Sequence, residues 1–466
     1  MEANGKKQYV AVVGAGPAGL FAAKELADHG VHVALLNRDI KPGGLAEYGI
    51  YPDKYKMKSG LRRQFSQIME TAEIEYFGNV TVGEHGDLTL AELRQMGFDA
   101  ILVTVGAQGT KWLGMEGEDL RGVYHAKDLV YHYNNLPPFS QQKFEIGRRV
   151  AIVGVGNVML DIAHWTIRAL KVDEVIAVAR RGPAEVKFTK KEMEIVAANL
   201  DVPALDEELA RCAPIMAAVG QDVAAARAYL LSALPRALEP VSDTRFRFDF
   251  LASPRRMIGD AMGRVIGLEV EDTTLTLRDG DTKAKGLGTF RVIPVDTVVF
   301  AIGDRVDESF GLPVAWNEFV KREDPRFPIE GNSYEVYDPV TQQPLEDVFV
   351  AGWARKASDG LVGAARKDGT NGALAVLQYL AQRSGNDQSP ISCLASRLAS
   401  RNGQVVRKVD VRKLETVEAL IAKRQQLPEF KFGSNEEMLA AIHNNLTAAG
   451  AGHETGEKSQ SSGEHP

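Results

Sequence analysis

The sequence predicts an α/β fold with two parallel sheets, and three observations support this prediction. Near the N-terminus a buried strand, a glycine-rich turn, a helix and a second strand follow one another, which is the order of a βαβ unit. The same order returns after residue 148. The chain has 466 residues, and this length is enough for two or three domains.

The elements of the two units follow from apolar, β-branched runs and from helical periodicity. The first unit is predicted as a strand, helix and strand over residues 9–13, 20–29 and 31–36. The second is predicted over residues 150–153, 160–169 and 175–179. Three further buried strands are expected within residues 98–107, 295–304 and 345–353. We interpret residues 201–245 as a helical insertion that serves packing, because they are rich in alanine and leucine.

Composition excludes several classes of function. Hydrophobic residues make up 44% of the chain and charged residues 25%, with a net charge of −7, so we expect no nucleic-acid partner for the molecule as a whole. No apolar run is long enough for a membrane helix, and the expected compartment is the cytoplasm. Cys212 and Cys393 are the only cysteines and lie far apart, which excludes a CxxC redox pair and a cysteine metal site. No metal site is predicted.

The first glycine turn has the pattern that binds a pyrophosphate. Gly14, Gly16 and Gly19 form GxGxxG between a strand and a helix, which is the context this motif requires. The first glycine permits the tight turn, the second lets the backbone approach the phosphates, and the third allows close packing of helix on strand. The N-terminus of the helix then offers free N–H donors.

The residues after this unit depart from the usual dinucleotide site. Asn37 ends the next strand, where an acidic residue ordinarily binds the ribose hydroxyls, so we expect looser ribose binding or sharing with Arg38. Gly43 and Gly44 follow and would let the backbone lie against a large flat ligand. A plain loop is the alternative interpretation.

The second glycine turn indicates a phosphorylated nucleotide. Gly154 and Gly156 are followed by Met159 where a third small residue is expected. Arg180 and Arg181 end the next strand, at the position where an acidic residue would select NAD. Two guanidiniums there favour the 2′-phosphate of NADP, although a solvated basic loop is the alternative.

These segments resemble the adrenodoxin reductase-like ferredoxin–NADP reductases, which are FAD enzymes with two fused nucleotide-binding domains. The resemblance covers about residues 7–192 and 290–380. It depends on the motifs VVGAGPAGL, PGGLAEYGIYPD, FGNVTVG, LGMEGEDLRGVYHAKDLVYHYN, GVGNVMLDIA, RRGPAEVKFTKKE and AGWARKASDGLVGA. It implies two Rossmann-like three-layer dinucleotide-binding domains, with the NADP domain inserted into a discontinuous FAD domain.

The implied domains can be given boundaries. The FAD domain is expected over residues 1–107 and 318–384, and the NADP domain over residues 108–317, with the helical insertion at about 201–245. A C-terminal helical extension is expected over residues 385–452, with helices at 416–425 and 435–444. Residues 453–466 are expected to form a disordered tail.

The resemblance also implies binding residues at the matching positions. For FAD these are Gly14, Gly16, Ala18, Gly19, Asn37, Leu45, Val82, Trp353, Gly360, Leu361 and Val362, to which we add Arg38, Gly44 and Gly106. For NADP they are Gly154, Gly156, Asn157, Val158, Arg180, Arg181 and Glu192.

Lys54 and Glu192 are the candidate catalytic residues. Lys54 stands where the family usually has a histidine, and a charged lysine cannot accept a hydrogen bond, so its role in proton transfer is open. Asn37, Asp304 and Ser358 also differ from the family pattern, and together with Lys54 they suggest a divergent branch of the family.

The function implied is transfer of electrons from NADPH through FAD to a one-electron acceptor such as an acidic, ferredoxin-like iron–sulfur protein. Two basic clusters are candidate docking sites, and a solvated helical face is the alternative interpretation of both. They are Lys54, Lys56, Lys58, Arg62 and Arg63, and then Lys187, Lys190 and Lys191.

One alternative function is the reductase subunit of a larger complex, similar to the small subunit of glutamate synthase, although the cysteine-rich N-terminal segment of those subunits is lacking here. A non-catalytic nucleotide-binding redox sensor is another.

Overall fold

The computed structural model describes residues 6–357, 360, 362–401 and 403–443. Its strands are β1 Tyr9–Val13, β2 His32–Asn37, β3 Ile74–Gly78, β4 Ala100–Val103, β5 Gly109–Thr110, β6 Val123–His125, β7 Arg149–Val153, β8 Glu174–Val178, β9 Arg245–Asp249, β10 Ala252–Gly259, β11 Val265–Arg278, β12 Asp281–Ile293, β13 Thr297–Phe300, β14 Asp304–Arg305, β15 Val314–Ala315, β16 Glu318–Phe319, β17 Glu335–Asp338 and β18 Gln343–Val350.

The α-helices within these described residues are α1 Pro17–Asp28, α2 Leu45–Tyr48, α3 Tyr55–Met69, α4 Leu90–Gln95, α5 Ala126–Tyr133, α6 Asn157–His164, α7 Lys190–Met193, α8 Val202–Ala218, α9 Val223–Leu231, α10 Val362–Leu380, α11 Pro390–Leu398, α12 Lys408–Arg424 and α13 Asn435–His443. A π-helical turn, Trp165–Ala169, continues α6. No helix in the described ranges has the length and apolar character needed to cross a membrane.

The first large sheet has six strands in the order β17-β18-β4-β1-β2-β3. All neighbours are parallel except β17 and β18. Val13 is level with Leu36 on one side and with Val103 on the other, so β1, β2 and β4 end at the same edge. The turn that follows β1 therefore opens at the carboxyl edge of the sheet, where ligands bind in open α/β sheets.

The second large sheet has five parallel strands in the order β6-β13-β7-β8-β9. Val153 is level with both Phe300 and Val178, which places the second glycine turn at a corresponding carboxyl edge. The helices α8 and α9 cover one face of this sheet. Leu205, Leu209 and Cys212 of α8 are buried there in one core with strand residues such as Phe246.

An antiparallel sheet, β10-β11-β12, covers the opposite face of the second sheet. Its long strands were not predicted, because β12 is exposed along most of its length and has no buried alternation to detect. Apolar cores lie on both faces of each large sheet, and the prediction of an α/β fold with layered parallel sheets is confirmed.

The chain passes from the first large sheet to the second after β4 and returns after β13. At these two crossings β5 and β14 pair as a short antiparallel ribbon, Thr110 with Asp304 and Gly109 with Arg305. Lys127 reinforces the ribbon, since its Nζ donates to the carbonyl oxygens of Gln108 at 2.6 Å and Gly109 at 2.9 Å.

The helices α12 and α13 pack on the first sheet's helical layer. Val411, Leu414 and Met438 share a buried core with Phe65 of α3. The predicted C-terminal helices are longer than expected at α12 and nearly as expected at α13. The domain boundaries stay predictions, and the tail at residues 453–466 lies outside the described residues.

Candidate nucleotide-binding and redox site

The first glycine turn leaves no room for side chains at two of its three glycines. Gly14 has a φ of +108°, and a Cβ there would lie 2.6 Å from the carbonyl oxygen of Thr104. A Cβ on Gly19 would lie 1.8 Å from the carbonyl oxygen of Gly14. At Gly16, by contrast, a Cβ would meet no atom within 4 Å, so bare backbone faces open space. The helix α1 begins at once and has no side-chain cap, which leaves its first N–H groups free for a pyrophosphate.

The side-chain polar atoms of Asn37 form hydrogen bonds with other residues of the protein. Its side chain is buried, and its Oδ1 accepts a hydrogen bond from the backbone N–H of Ala15 at 3.0 Å. Its Nδ2 donates to the carbonyl oxygens of Asp39 and Lys41. Asn37 therefore holds the glycine turn against the next loop, which sequence reasoning missed. The exposed Arg38 lies beside it and contacts Asp39 and the side chain of Gln108. Ribose binding by these two residues stays a prediction.

Other predicted FAD residues are close to the first turn. Gly43 donates its N–H to the carbonyl oxygen of Ala15 at 2.7 Å, and a Cβ on Gly44 would lie 3.2 Å from the Cα of Gly16. The loop thus lies directly against the turn, and Leu45 begins α2 from it. A Cβ on Gly352 would lie 2.6 Å from the Cβ of Ala18, which brings the neighbour of Trp353 onto the start of α1.

The remaining predicted FAD residues have these places. Gly106 follows β4 with a φ of +73°. Val82 is half-buried in the turn after β3, and Val362 begins α10, which packs along α1. Gly360 has a φ of +74°. Leu361 lies outside the described residues.

The second glycine turn repeats the geometry of the first. Gly154 has a φ of +126°, and a Cβ there would lie 2.3 Å from the carbonyl oxygen of Ala301. A Cβ on Gly156 would meet no atom within 4 Å, and α6 starts without a side-chain cap. Val158 is exposed in the first turn of α6, whereas Met159 is fully buried in the core beneath it. The Oδ1 of Asn157 accepts from the N–H of Thr189 at 2.8 Å, which ties α6 to the loop before α7.

Arg180 and Arg181 follow β8, and hydrogen bonds hold the backbone of both residues. The carbonyl oxygen of Arg180 accepts from the Thr273 hydroxyl at 2.7 Å, and that of Arg181 accepts from the N–H of Leu251 at 3.2 Å. Within the part of the chain that the structure describes, neither guanidinium forms a hydrogen bond or an ion pair. The two cations are thus available to a phosphate beside the second turn.

The two candidate catalytic residues form an ion pair. Lys54 ends a 3₁₀ turn before α3, and Glu192 lies in α7, whose N-cap is Thr189. The Lys54 Nζ lies 2.5 Å from the Glu192 Oε2. The pair joins the part of the chain around the first sheet to the part around the second, and nothing in the sequence indicated that these residues would meet.

Two further titratable residues lie at this junction, and sequence reasoning assigned neither to the site. Burial raises the pKa of the Asp161 carboxyl to about 7, while Lys54 lowers it and Glu192 raises it. Burial likewise lowers the pKa of His164 to about 3. The His164 ring stacks on Tyr51 with centroids 3.7 Å apart. Both residues lie on α6, so the spacing of polar residues on a buried helix was the available signal.

Three of the five cations in the first predicted basic cluster form ion pairs within the protein. Lys58 is buried and pairs with Glu429 at 2.7 Å, and Arg62 bridges Glu47 and Glu429. The expectation of a five-cation docking surface is therefore wrong for these two and for Lys54, because acidic residues elsewhere in the chain neutralise them. Lys56 and Arg63 remain exposed, as do Lys187, Lys190 and Lys191.

Comparison with known proteins gives a family and close structural relatives. The family described as pyridine nucleotide-disulphide oxidoreductase matches residues 8–352. The protein named NADPH-ferredoxin reductase FprA from Mycobacterium leprae is 28% identical, over 93% of this chain and 98% of its own length. The mitochondrial NADPH:adrenodoxin oxidoreductase of Arabidopsis thaliana is also 28% identical, over 77% of this chain and 80% of its own.

A solved structure agrees with these relatives. FprA of Mycobacterium tuberculosis in complex with NADPH matches with a TM-score of 0.78 and 26% identity, and the match covers 94% of this chain and all of that one. The predicted resemblance is thereby confirmed.

Proposed function

Since the chain belongs to the pyridine nucleotide-disulphide oxidoreductase family, we propose that it is an FAD-dependent NADPH reductase that delivers electrons to a one-electron acceptor such as a ferredoxin. Relatives named as NADPH-ferredoxin and NADPH:adrenodoxin reductases match most of its length. The bound FAD would take two electrons as hydride from NADPH and release them singly.

The observation that carries this proposal is the difference between the two glycine turns. Both leave bare backbone open at the carboxyl edge of a parallel sheet and both start an uncapped helix, at Gly16 and at Gly156. Among the described residues, the second turn alone has two guanidiniums without a partner, Arg180 and Arg181, at the end of the following strand. Two dinucleotides therefore fit, and the second site selects the one with a 2′-phosphate.

Charged and titratable residues lie at the junction between the two sheet regions. The Lys54–Glu192 ion pair links the two sheet regions beside the second turn. Asp161 can hold a proton on its carboxyl near neutral pH, because its pKa is about 7. His164 remains neutral, buried against Tyr51.

The cysteines distinguish this chain from disulfide reductases. Cys212 is buried and Cys393 is exposed, and both are free. No dithiol is thus available to receive electrons within this chain, so we propose that they leave to an external acceptor. The acidic character of that acceptor, the cytoplasmic location and the absence of a nucleic-acid partner stay predictions.

The test is reconstitution and turnover. The purified protein is incubated with FAD, freed of excess flavin and mixed with NADPH or NADH without oxygen. We expect the flavin absorbance to bleach rapidly with NADPH and slowly with NADH, and cytochrome c reduction to depend on added ferredoxin. A protein that retains no FAD would contradict the proposal and favour the sensor alternative.

A further inference from the structure

The loop after β8 carries Arg180 and Arg181, and residues far along the chain hold its backbone. The Thr273 hydroxyl, on β11, donates to the carbonyl oxygen of Arg180 at 2.7 Å. The N–H of Leu251, between β9 and β10, donates to the carbonyl oxygen of Arg181 at 3.2 Å. The two guanidiniums therefore extend from backbone that is bonded to the antiparallel sheet and its entrance.

Thr273 contributes to both of these contacts. Its own N–H donates to the carbonyl oxygen of Leu251 at 2.9 Å, so its hydroxyl holds Arg180 and its backbone holds the residue that bonds Arg181. Thr273 is buried, and the pairing of β11 with β12 shifts between Glu271 and Thr273. Such a bulge redirects a strand side chain and is frequent beside active sites.

Leu251, which links Thr273 to Arg181, has strained backbone. Its φ is +51°, a conformation that a bulky residue rarely adopts, and it is fully buried. Strain of this kind tends to occur at functional sites, where the surrounding structure maintains it. The strained peptide lies directly between the N–H of Thr273 and the carbonyl oxygen of Arg181.

The far end of the arginine loop is held independently of Thr273. The Gln221 Nε2, between α8 and α9, donates to the Glu185 Oε1 at 2.7 Å. The N–H of Lys187 donates to the carbonyl oxygen of Val155, in the second glycine turn, at 2.8 Å. Loss of the Thr273 hydroxyl would therefore release the arginine end of the loop without detaching the whole loop.

Two guanidiniums select a 2′-phosphate most strongly when both can reach it at once. Arg180 is exposed and Arg181 half-buried, and no hydrogen bond or ion pair within the described ranges orders either side chain. The place that both can reach thus depends on their backbone. A backbone that is already ordered lowers the entropy cost of binding the phosphate.

We propose that Thr273 is a positioning residue for the 2′-phosphate of NADP(H), because it fixes the backbone from which Arg180 and Arg181 reach that group. The inference deepens the proposed function and rests on its second nucleotide site. It gives the antiparallel sheet a part in nucleotide selection. Thr273 acts through the two arginines and has no part in the reaction of NADPH with the flavin.

The experiment measures nucleotide binding separately from turnover. The FAD-loaded wild type, Thr273→Val, Thr273→Ala and Thr273→Ser are titrated calorimetrically with adenosine 2′,5′-bisphosphate, and the KM for NADPH and for NADH is measured with ferricyanide as acceptor. We expect the valine and alanine variants to bind the bisphosphate about tenfold more weakly and to show a similar rise in the KM for NADPH. The KM for NADH should change less than about twofold, and kcat should stay the same. Thr273→Ser keeps the hydroxyl and should behave as the wild type.

Two further comparisons are controls. Thr276 lies on the same strand, and its hydroxyl is 3.4 Å from the carbonyl oxygen of Lys283, outside the arginine loop. Thr276→Val should therefore leave both KM values unchanged. In the double variant Arg180→Ala/Arg181→Ala, adding Thr273→Val should raise the KM for NADPH no further, because the side chains through which Thr273 acts are gone.

Each other result overturns the inference. Unchanged bisphosphate binding in the valine and alanine variants would do so, as would equal losses for NADPH and NADH. A serine variant as impaired as the other two, or an effect of Thr273→Val that persists without both arginines, would also do so. A wild type that binds the bisphosphate but does not oxidise NADPH would refute the proposed function, while the titrations would still decide this inference. A wild type that does not bind the bisphosphate would overturn the inference.

Discussion

At the residue scale, the choice of nucleotide depends on Arg180 and Arg181. Their guanidiniums have no partner among the described residues, so a 2′-phosphate would gain charge-assisted bonds without breaking others. We expect the double change to alanine to raise the KM for NADPH by about a hundredfold, or roughly 3 kcal/mol, and that for NADH by less than about twofold. Steady-state kinetics with both nucleotides measures this. Equal effects on the two would remove the assignment.

Lys54 and Glu192 should act as a unit. Breaking the pair leaves one charge without its partner beside the nucleotide, so Lys54→Met and Glu192→Gln should each lower kcat/KM for NADPH severalfold. The double variant should be no worse than the more damaging single one, with a coupling energy of about 1 kcal/mol. A double-mutant cycle with ferricyanide as acceptor tests this, and additive effects would show that the pair is not functional.

Asp161 should make stability depend on pH. Its pKa is about 7 in the folded protein against 3.8 ordinarily, so the folded state binds the proton more tightly than the unfolded state. Stability should therefore fall as pH rises from about 4 to 7. Asp161→Asn, which resembles the protonated acid, should be more stable than the wild type by roughly 2 kcal/mol at pH 8 and equal to it near pH 4. Urea unfolding across this range measures the difference, and a gap independent of pH would contradict it.

At the element scale, the two glycine turns allow a matched pair of variants. A side chain at Gly16 or at Gly156 meets no protein atom within 4 Å and thus enters only the space predicted for phosphate. We expect Gly16→Val to fold but to bind FAD about thirtyfold more weakly, a loss of about 2 kcal/mol. Gly156→Val should stay yellow and lose NADPH affinity to a similar degree.

Flavin content after gel filtration and the KM for NADPH separate these outcomes. Gly433→Ala, at a glycine with equally open surroundings in the segment before α13, is the control. A colourless Gly156→Val or a fully flavinated Gly16→Val would reverse the assignment of the two turns.

The elements that the sequence predicted are those with strong local signals. The strands β1 and β7 are continuous apolar runs next to glycine turns, and both were found within one residue. The strand β12 was missed because its residues are largely solvated, and pairing rather than pattern defines it. Likewise the Lys54–Glu192 contact and the hydrogen bond between Asn37 and Ala15 required tertiary structure, since the partners lie 138 and 22 residues apart.

At the scale of the whole molecule, a buried ionic cluster joins the C-terminal helices to the first sheet. Glu47 is 2% exposed and contacts Lys41 at 3.3 Å, Lys431 at 3.2 Å and Arg62 at 2.5 Å. These cations hold the pKa of Glu47 well below its usual range, against the effect of burial. The Glu47 carboxylate therefore forms ion pairs with three buried or half-buried cations.

Removing the charge of Glu47 should lower the stability of the protein. Glu47→Gln removes the carboxylate that pairs with the buried Lys431, while Lys41 keeps Glu418 and Arg62 keeps Glu429. We expect a loss of about 3–5 kcal/mol in the free energy of unfolding, because one buried cation loses its partner and two lose one of theirs. Glu70→Gln, which breaks the half-exposed pair with Arg412, should cost less than about 1 kcal/mol. Urea unfolding of both variants gives the comparison, and similar losses would show that burial of the cluster adds nothing.

The ribbon of β5 and β14 determines how the halves of the molecule can rearrange. Both connections between the large sheets are hydrogen-bonded to each other at the same level, and Lys127 fastens one of them from the side. Neither connection can swing by itself, so any movement of one large sheet relative to the other is a rotation about one shared axis. Nucleotide entry and departure would then follow a single reproducible arc, and the two halves would return to the same alignment after every turnover.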